Sequence, residues 1–153
     1  VTGTLGDALA GFELIDAGFD EVGALADAFN RPQARLAEGQ KLAPFVHAMM
    51  DISDGLLIDA ERMATASRLG IEIDLACIPL SPAYVSYRTD SLESRMQAAS
   101  WGDDYELLFC APADARINVD ATAVGRVIAG GGLTLCNGDT PMKLPTTLGY
   151  QHH

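Results

Sequence analysis

The chain has 153 residues, enough for one domain that buries roughly two thirds of its unfolded surface. Apolar residues make up 48% and charged residues 20%, which excludes a disordered or collagen-like chain. Ten Lys and Arg against 21 Asp and Glu leave a net charge of −11, a balance that repels phosphate backbones, so no nucleic-acid partner is expected.

Val1 to Thr4 reads as the tail of a strand. Asp7 then caps a helix with Ala8, Leu9, Phe12 and Ile15 on one face, stopped at Gly18. A second helical pattern runs from Phe19 to Phe29 through Val22, Leu25 and Ala26, and Asn30-Arg31-Pro32 breaks it. A third helix is expected from Ala34 to about Phe45. Val46 to Met50 is a short apolar run, followed by the polar turn Asp51-Ile52-Ser53-Asp54-Gly55 and helical spacing from Leu56 to Ala66. Ile71 to Leu75 alternates with period two and reads as a strand. Pro79 and Pro82 bracket a turn, Ser86 to Ser94 reads as a polar loop, and Leu92 to Ala99 as a short helix. A second acidic turn, Trp101-Gly102-Asp103-Asp104, leads into an apolar strand from Tyr105 to Ala111. Two further strands, Ala121 to Ala129 and Leu133 to Cys136, are joined by Gly130-Gly131-Gly132, and Asn137-Gly138 marks a tight turn. The pattern predicts a single α/β (α+β) domain over residues 1–153, a mixed sheet layered with helices.

Cys77, Cys110 and Cys136 form no CxxC pair, so zinc and redox motifs are absent and a reducing cytoplasm is expected. The chain opens Val1-Thr2-Gly3 without Met, basic n-region or long apolar run, so neither signal peptide nor membrane span is expected, and the chain reads as cut from something longer. His152 and His153 receive no role. His47, inside an apolar run, is expected to be a satisfied core histidine, and the cysteines to be inert and buried. GxSxG, HExxH, Walker A and GxGxxG are missing, which removes support for serine hydrolases, zinc proteases and P-loop kinases.

The first acidic turn carries most of the chemistry. A strand before it and a helix after it set Asp51 and Asp54 at a strand end, beside amides that favour anions. Hard Mg²⁺ takes carboxylate oxygens and keeps places for water and phosphates, so Asp51 and Asp54 with Ser53 between them suit phosphoryl chemistry. A simple N-cap by Ser53 or Asp54 explains the same residues. In the second turn, strand alternation places Asp104 and Glu106 on one face and Asp103 and Tyr105 on the other. Those carboxylates suit a cationic substrate, a metal or a backbone amide, or form a solvated loop. Trp101 fits either a ligand stack or the rim of the core.

Both turns, in this order, resemble the thiamine-monophosphate kinase family, which is similar to aminoimidazole ribonucleotide synthetase and selenophosphate synthetase. The resemblance spans Val1 to Asp7 with Ala10-Gly11, then Arg31-Pro32, Arg35 and Gly39, then Met50 to Leu56 with Asp59, Ala66-Ser67 and Gly70. It continues through Gly102 to Phe109, Gly125-Arg126-Val127 and Gly149-Tyr150. It implies transfer of the γ-phosphoryl of ATP to thiamine monophosphate with several Mg²⁺ ions. Residue by residue, it makes Asp51 and Asp54 Mg²⁺ ligands, Ser53 an ATP contact and Asp103 a substrate contact. It also implies that an N-terminal half, absent here, supplies most metal carboxylates and the dimer contact, so that the full-length enzyme is a homodimer and this chain an incomplete one. The sequence departs from the family pattern at Ala34 (usually Pro), Trp101 (usually Gly), Thr147-Leu148 (often aromatic) and His153 (often Phe). A related ATP-dependent synthetase acting on another phosphorylated small molecule, and a non-enzymatic assembly domain, are the competing readings.

Overall fold

The computed structural model describes residues 1–19 and 23–150. Three helices come first: α1 (Asp7–Asp16), α2 (Ala24–Asn30) and α3 (Leu36–Leu42). Strand β1 (Ala48–Asp51), helix α4 (Leu56–Ser67), strand β2 (Gly70–Asp74) and a 3-10 turn (Leu75–Cys77) follow. Two helices, α5 (Pro82–Arg88) and α6 (Leu92–Ser100), precede strands β3 (Leu107–Cys110), β4 (Gly125–Ile128), β5 (Gly132–Asn137) and β6 (Thr140–Met142).

The strands form two sheets. β1 and β3 pair antiparallel, Ala48 opposite Cys110 and Asp51 opposite Leu107. The other sheet has the order β4-β2-β5-β6, with β2 and β5 parallel and the outer pairs antiparallel. The fold is thus mixed α/β, as the sequence pattern implies. α4 is the element that joins the layers, touching β2 and β5 on one side and β1 and β3 on the other. Its Leu56, Leu57, Ala60, Met63 and Ala64 share one core with Ile71, Ile73, Leu133 and Leu135. Burying a side chain such as Leu56 or Leu57 contributes about 1.5–3 kcal/mol, so this helix is held chiefly by its apolar face. The strand before it and the acidic turn between them are therefore fixed to a rigid element.

Several sequence expectations shift. Residues 1–4 make only an isolated bridge, Thr2 with Ala121. The second helix is described from Ala24, and Val22 lies outside the described residues, as do His152 and His153. The third helix is shorter than expected, and the strand expected from Tyr105 begins at Leu107. Pro82 does not close a turn but opens α5, where Ser81 Oγ accepts the Tyr84 N–H at 3.0 Å. The expected loop from Ser86 is helical as far as Arg88, because Tyr84 is buried and donates its hydroxyl to Ser94 O at 3.0 Å, while Arg88 pairs with Glu13. The two late strands are not neighbours, since β2 lies between them, and the hairpin at Asn137-Gly138 adds β6. His47 is exposed rather than in the core: its N–H bonds Cys110 O at 2.8 Å at the end of a two-stranded surface ladder. Cys77 is exposed and Cys110 and Cys136 are half-buried. Among the described residues no helix is long and apolar enough to cross a membrane.

Candidate functional site

Beyond the last strand pair, Asp51 with Leu107, the two acidic turns continue the ladder of β1 and β3. Ile52 donates its N–H to Glu106 O at 2.8 Å, Tyr105 donates to Ile52 O at 2.9 Å, and Asp103 donates to Ser53 O at 2.9 Å. Gly102 permits this approach, because a Cβ there would run into Ser53 O and lie 3.0 Å from Asp54 Cα. Gly55, at φ 122, is both left-handed and 2.9 Å, at its would-be Cβ, from Ser100 O. Two turns far apart in the sequence are one structure. Tyr150 joins them through its N–H to Asp54 O at 2.8 Å.

The simple N-cap reading of Ser53 and Asp54 is not what the structure contains: α4 has Gly55 at its cap and no side-chain cap bond. The turn's amides are satisfied from the opposite direction. Asp59, fully buried on α4, accepts the N–H of Ser53 at 3.0 Å and of Asp54 at 3.1 Å on the same oxygen. Its other oxygen accepts Arg62 Nη1 at 2.7 Å, and that nitrogen also donates to Asp54 Oδ2 at 2.5 Å. Asp59 and Arg62 are the positioning residues that local reading misses; the signal was an acid one helical turn after Gly55, in line to reach back over the helix start.

Of the four residues singled out in the sequence, Asp51 is exposed at the end of β1, Ser53 is half-buried, Asp54 is buried against Arg62, and Asp103 is half-buried with φ 65. Tyr105 is also left-handed, φ 52, so this segment is a strained turn rather than the start of a strand. It nevertheless divides its side chains as alternation predicts. The Tyr105 hydroxyl lies 3.5 Å from Asp103 Oδ1. The phenol's pKa is pushed up, first by the Asp103 charge and then by burial, with the charges of Asp51 and Asp54 adding to it. Three carboxylates from two turns thus act on one phenol. Among the described residues no group of three or more His, Cys, Asp or Glu is placed to hold a metal ion by itself.

On the other face, Glu106 is clamped by Arg35 Nε at 2.8 Å and Nη2 at 2.5 Å and by Thr2 Oγ1 at 2.6 Å. Asp104 accepts the Gly6 N–H with both oxygens, at 3.1 and 3.0 Å. Both line a cavity of about 220 Å³ together with Asp7, Arg31 and Arg35. Asp104 is half-buried at the cavity wall, and desolvation there raises its carboxyl to about 8 against the lowering effect of the Gly6 and Ala8 amides. An acid with a folded-state pKa above its unfolded value near about 4 favours the folded state below that value, and the contribution is lost as pH rises through the folded pKa. The melting temperature of the chain should therefore fall as pH rises from about 5 to about 8, and Asp104→Asn, which keeps an acceptor for Gly6, should flatten that fall. Identical pH profiles for the two proteins would remove Asp104 as the cause.

Known proteins share the sequence pattern and the fold. Residues 1–136 match the family described as AIR synthase related protein, C-terminal domain. The chain belongs to this family. A thiamine-monophosphate kinase of Rhodopirellula baltica is 36% identical over 141 residues, covering 87% of this chain and 40% of that protein. A crystal structure of thiamine-monophosphate kinase from Stenotrophomonas maltophilia K279a superposes with a TM-score of 0.80 at 33% identity, over 88% of this chain and 48% of that one. A structure of AaThiL complexed with AMPPCP and TMP superposes with a TM-score of 0.79 at 36% identity, over 88% of this chain and 45% of the other. The chain spans about half the length of the relatives it matches. All the site residues described above lie within the family match except Tyr150.

Proposed function

We propose that this chain is the C-terminal part of a cytoplasmic, homodimeric thiamine-monophosphate kinase, which transfers the γ-phosphoryl of ATP to thiamine monophosphate and makes thiamine diphosphate. The observation that carries the reading is the junction of the two acidic turns, which brings Asp51, Ser53, Asp54 and Asp103 to one place on a rigid helix start. Phosphoryl transfer needs positioning and charge neutralisation more than covalent chemistry, and a fixed acidic corner supplies both when cations bridge it to phosphates. The relatives' shared name supports the activity, and the neighbour holding AMPPCP, an ATP analogue, together with TMP supports both substrates.

The donor set fits Mg²⁺ in part. Asp51 offers an exposed hard carboxylate, whereas Asp54 has the Arg62 guanidinium beside it, a cation already in that place. Asp51 and Asp54 would hold the metal with the substrate phosphates, and the metal would draw off the charge that develops on the transferred group. Ser53 would contact ATP at the start of α4. Asp103, pinned through its own N–H to Ser53 O, would face the cationic ring of thiamine monophosphate. The missing half would complete the metal set.

Asp103→Asn separates this reading from a related synthetase that takes an anionic, non-aromatic acceptor. In the full-length protein it should raise the KM for thiamine monophosphate about three- to tenfold and leave that for ATP nearly unchanged, since a partly exposed carboxylate contributes mainly uniform binding to a cation. Equal changes in both KM values would contradict the assigned role.

A further inference from the structure

At the acidic corner a cation of the chain's own lies on Asp54. Arg62 Nη1 donates to Asp54 Oδ2 at 2.5 Å and to Asp59 Oδ1 at 2.7 Å, so two acids share one nitrogen. Asp59 is the firmer partner: it is fully buried, stands one helical turn before Arg62 on the same helix, and also accepts the Ser53 and Asp54 N–H groups. Asp54 belongs to the turn, and its carboxylate is buried as well. A buried carboxylate keeps its charge at low cost only with a cation against it. Arg62 supplies that cation from a side chain that is 45% exposed, so its guanidinium has water to turn into on leaving Asp54.

The surrounding charge draws in further cations. The charges of Asp103, Asp51 and Asp54 all act on the Tyr105 hydroxyl, so these three acids share one small region, with Arg62 beside Asp54. A carboxylate oxygen that already accepts a guanidinium holds a divalent ion less tightly, because the ion must displace that donor or sit against a like charge. We propose that Arg62 competes with the metal for Asp54: it neutralises this carboxylate until a divalent cation arrives, then yields Asp54 Oδ2 while Asp59 keeps its hold on the guanidinium. The inference rests on the kinase reading above and deepens it, since it makes Arg62 the residue that sets the Mg²⁺ requirement of the corner. Such a corner binds Mg²⁺ weakly by itself and relies on the negative charge of nucleotide phosphates to bring the ion in.

The test is Mg²⁺ titration of the full-length protein without nucleotide, read by calorimetry and by the rise in melting temperature that a ligand of the folded state brings. Arg62→Gln, which removes the charge and keeps most of the length, should bind Mg²⁺ about fivefold more tightly than the wild type. Its melting temperature should start lower without Mg²⁺ and gain more from it. In the Asp54→Asn background the same substitution should change the affinity less than about twofold, which ties the effect to that one carboxylate. Arg62→Lys, which keeps a charge but not the planar fork, should fall between the wild type and Arg62→Gln. An affinity in folded Arg62→Gln equal to or below that of the wild type overturns the competition, because Arg62 then only holds Asp54 in place. A gain equally large in the Asp54→Asn background overturns it too. Should the glutamine variant fail to fold, Arg62→Lys binding Mg²⁺ no more tightly than the wild type has the same force. These readings are independent of turnover: absence of thiamine-monophosphate-dependent ADP release in the wild type would overturn the kinase reading, whichever way the Mg²⁺ affinities fall.

Discussion

Asp59→Ala is expected to destabilise the protein by about 3–5 kcal/mol, because it leaves two backbone N–H groups without their acceptor at about 1–3 kcal/mol each. The substitution strands the N–H groups of Ser53 and Asp54 and takes from Arg62 one of its two carboxylates. At about 2–4 °C per kcal/mol for a domain of this size, the melting temperature should drop by roughly 10 °C. Asp59→Asn keeps an oxygen for the two amides but turns its NH₂ toward the guanidinium, and should fall between the wild type and the alanine variant. Arg62→Ala takes the cation from the buried Asp59 carboxylate but leaves it both amide donors, and the Arg62 side chain is 45% exposed and screened by solvent, so its cost should be the smaller of the two. Thermal melts of the three variants check the order. An Asp59→Ala loss no larger than that of Arg62→Ala would show that the carboxylate does not hold the turn.

The sequence carried the elements around the site better than it carried the site's internal wiring. β1 and α4 were legible because an apolar run, a polar turn ending in Gly55 and a helical apolar stripe follow one another without interruption. α5 was not legible, since its hold on the core is the single buried Tyr84 and its polar residues are satisfied by Ser81, Glu13 and Ser94 rather than by water. Asp103 and Tyr105 show a subtler failure. Period-two alternation put their side chains on the correct face, yet their backbone is left-handed and belongs to no strand. The union of the two turns depends on long-range bonds such as Asp103 N–H to Ser53 O, for which local periodicity has no signature. Gly102 is the one local trace of it, a residue whose lack of a side chain matters only when a second segment is set against it. Asp59 entered the sequence reading only as part of the family resemblance and without a role, because its partners lie in the turn behind it.

The second large effect is expected at Asp51. Asparagine keeps the size of the side chain and removes the charge that offsets the cation and the phosphates, while the exposed position at the end of β1 leaves the fold little changed. Turnover of the full-length protein should fall at least about tenfold, roughly 1.4 kcal/mol of transition-state stabilisation, and the fall should be steepest at limiting Mg²⁺. A loss of activity without a matching loss of stability is the mark that separates Asp51 from Asp59, whose substitution should lower both.

The most direct test is to supply the full-length protein with ATP, Mg²⁺ and thiamine monophosphate and to quantify ADP and thiamine diphosphate together, for the wild type and for Asp51→Asn. The account predicts one thiamine diphosphate for each ADP in the wild type, no ADP release without thiamine monophosphate, and the tenfold or greater loss in Asp51→Asn, about 1.4 kcal/mol. ADP release that is indifferent to thiamine monophosphate, or an Asp51→Asn protein that makes thiamine diphosphate at the wild-type rate at limiting Mg²⁺, would contradict it.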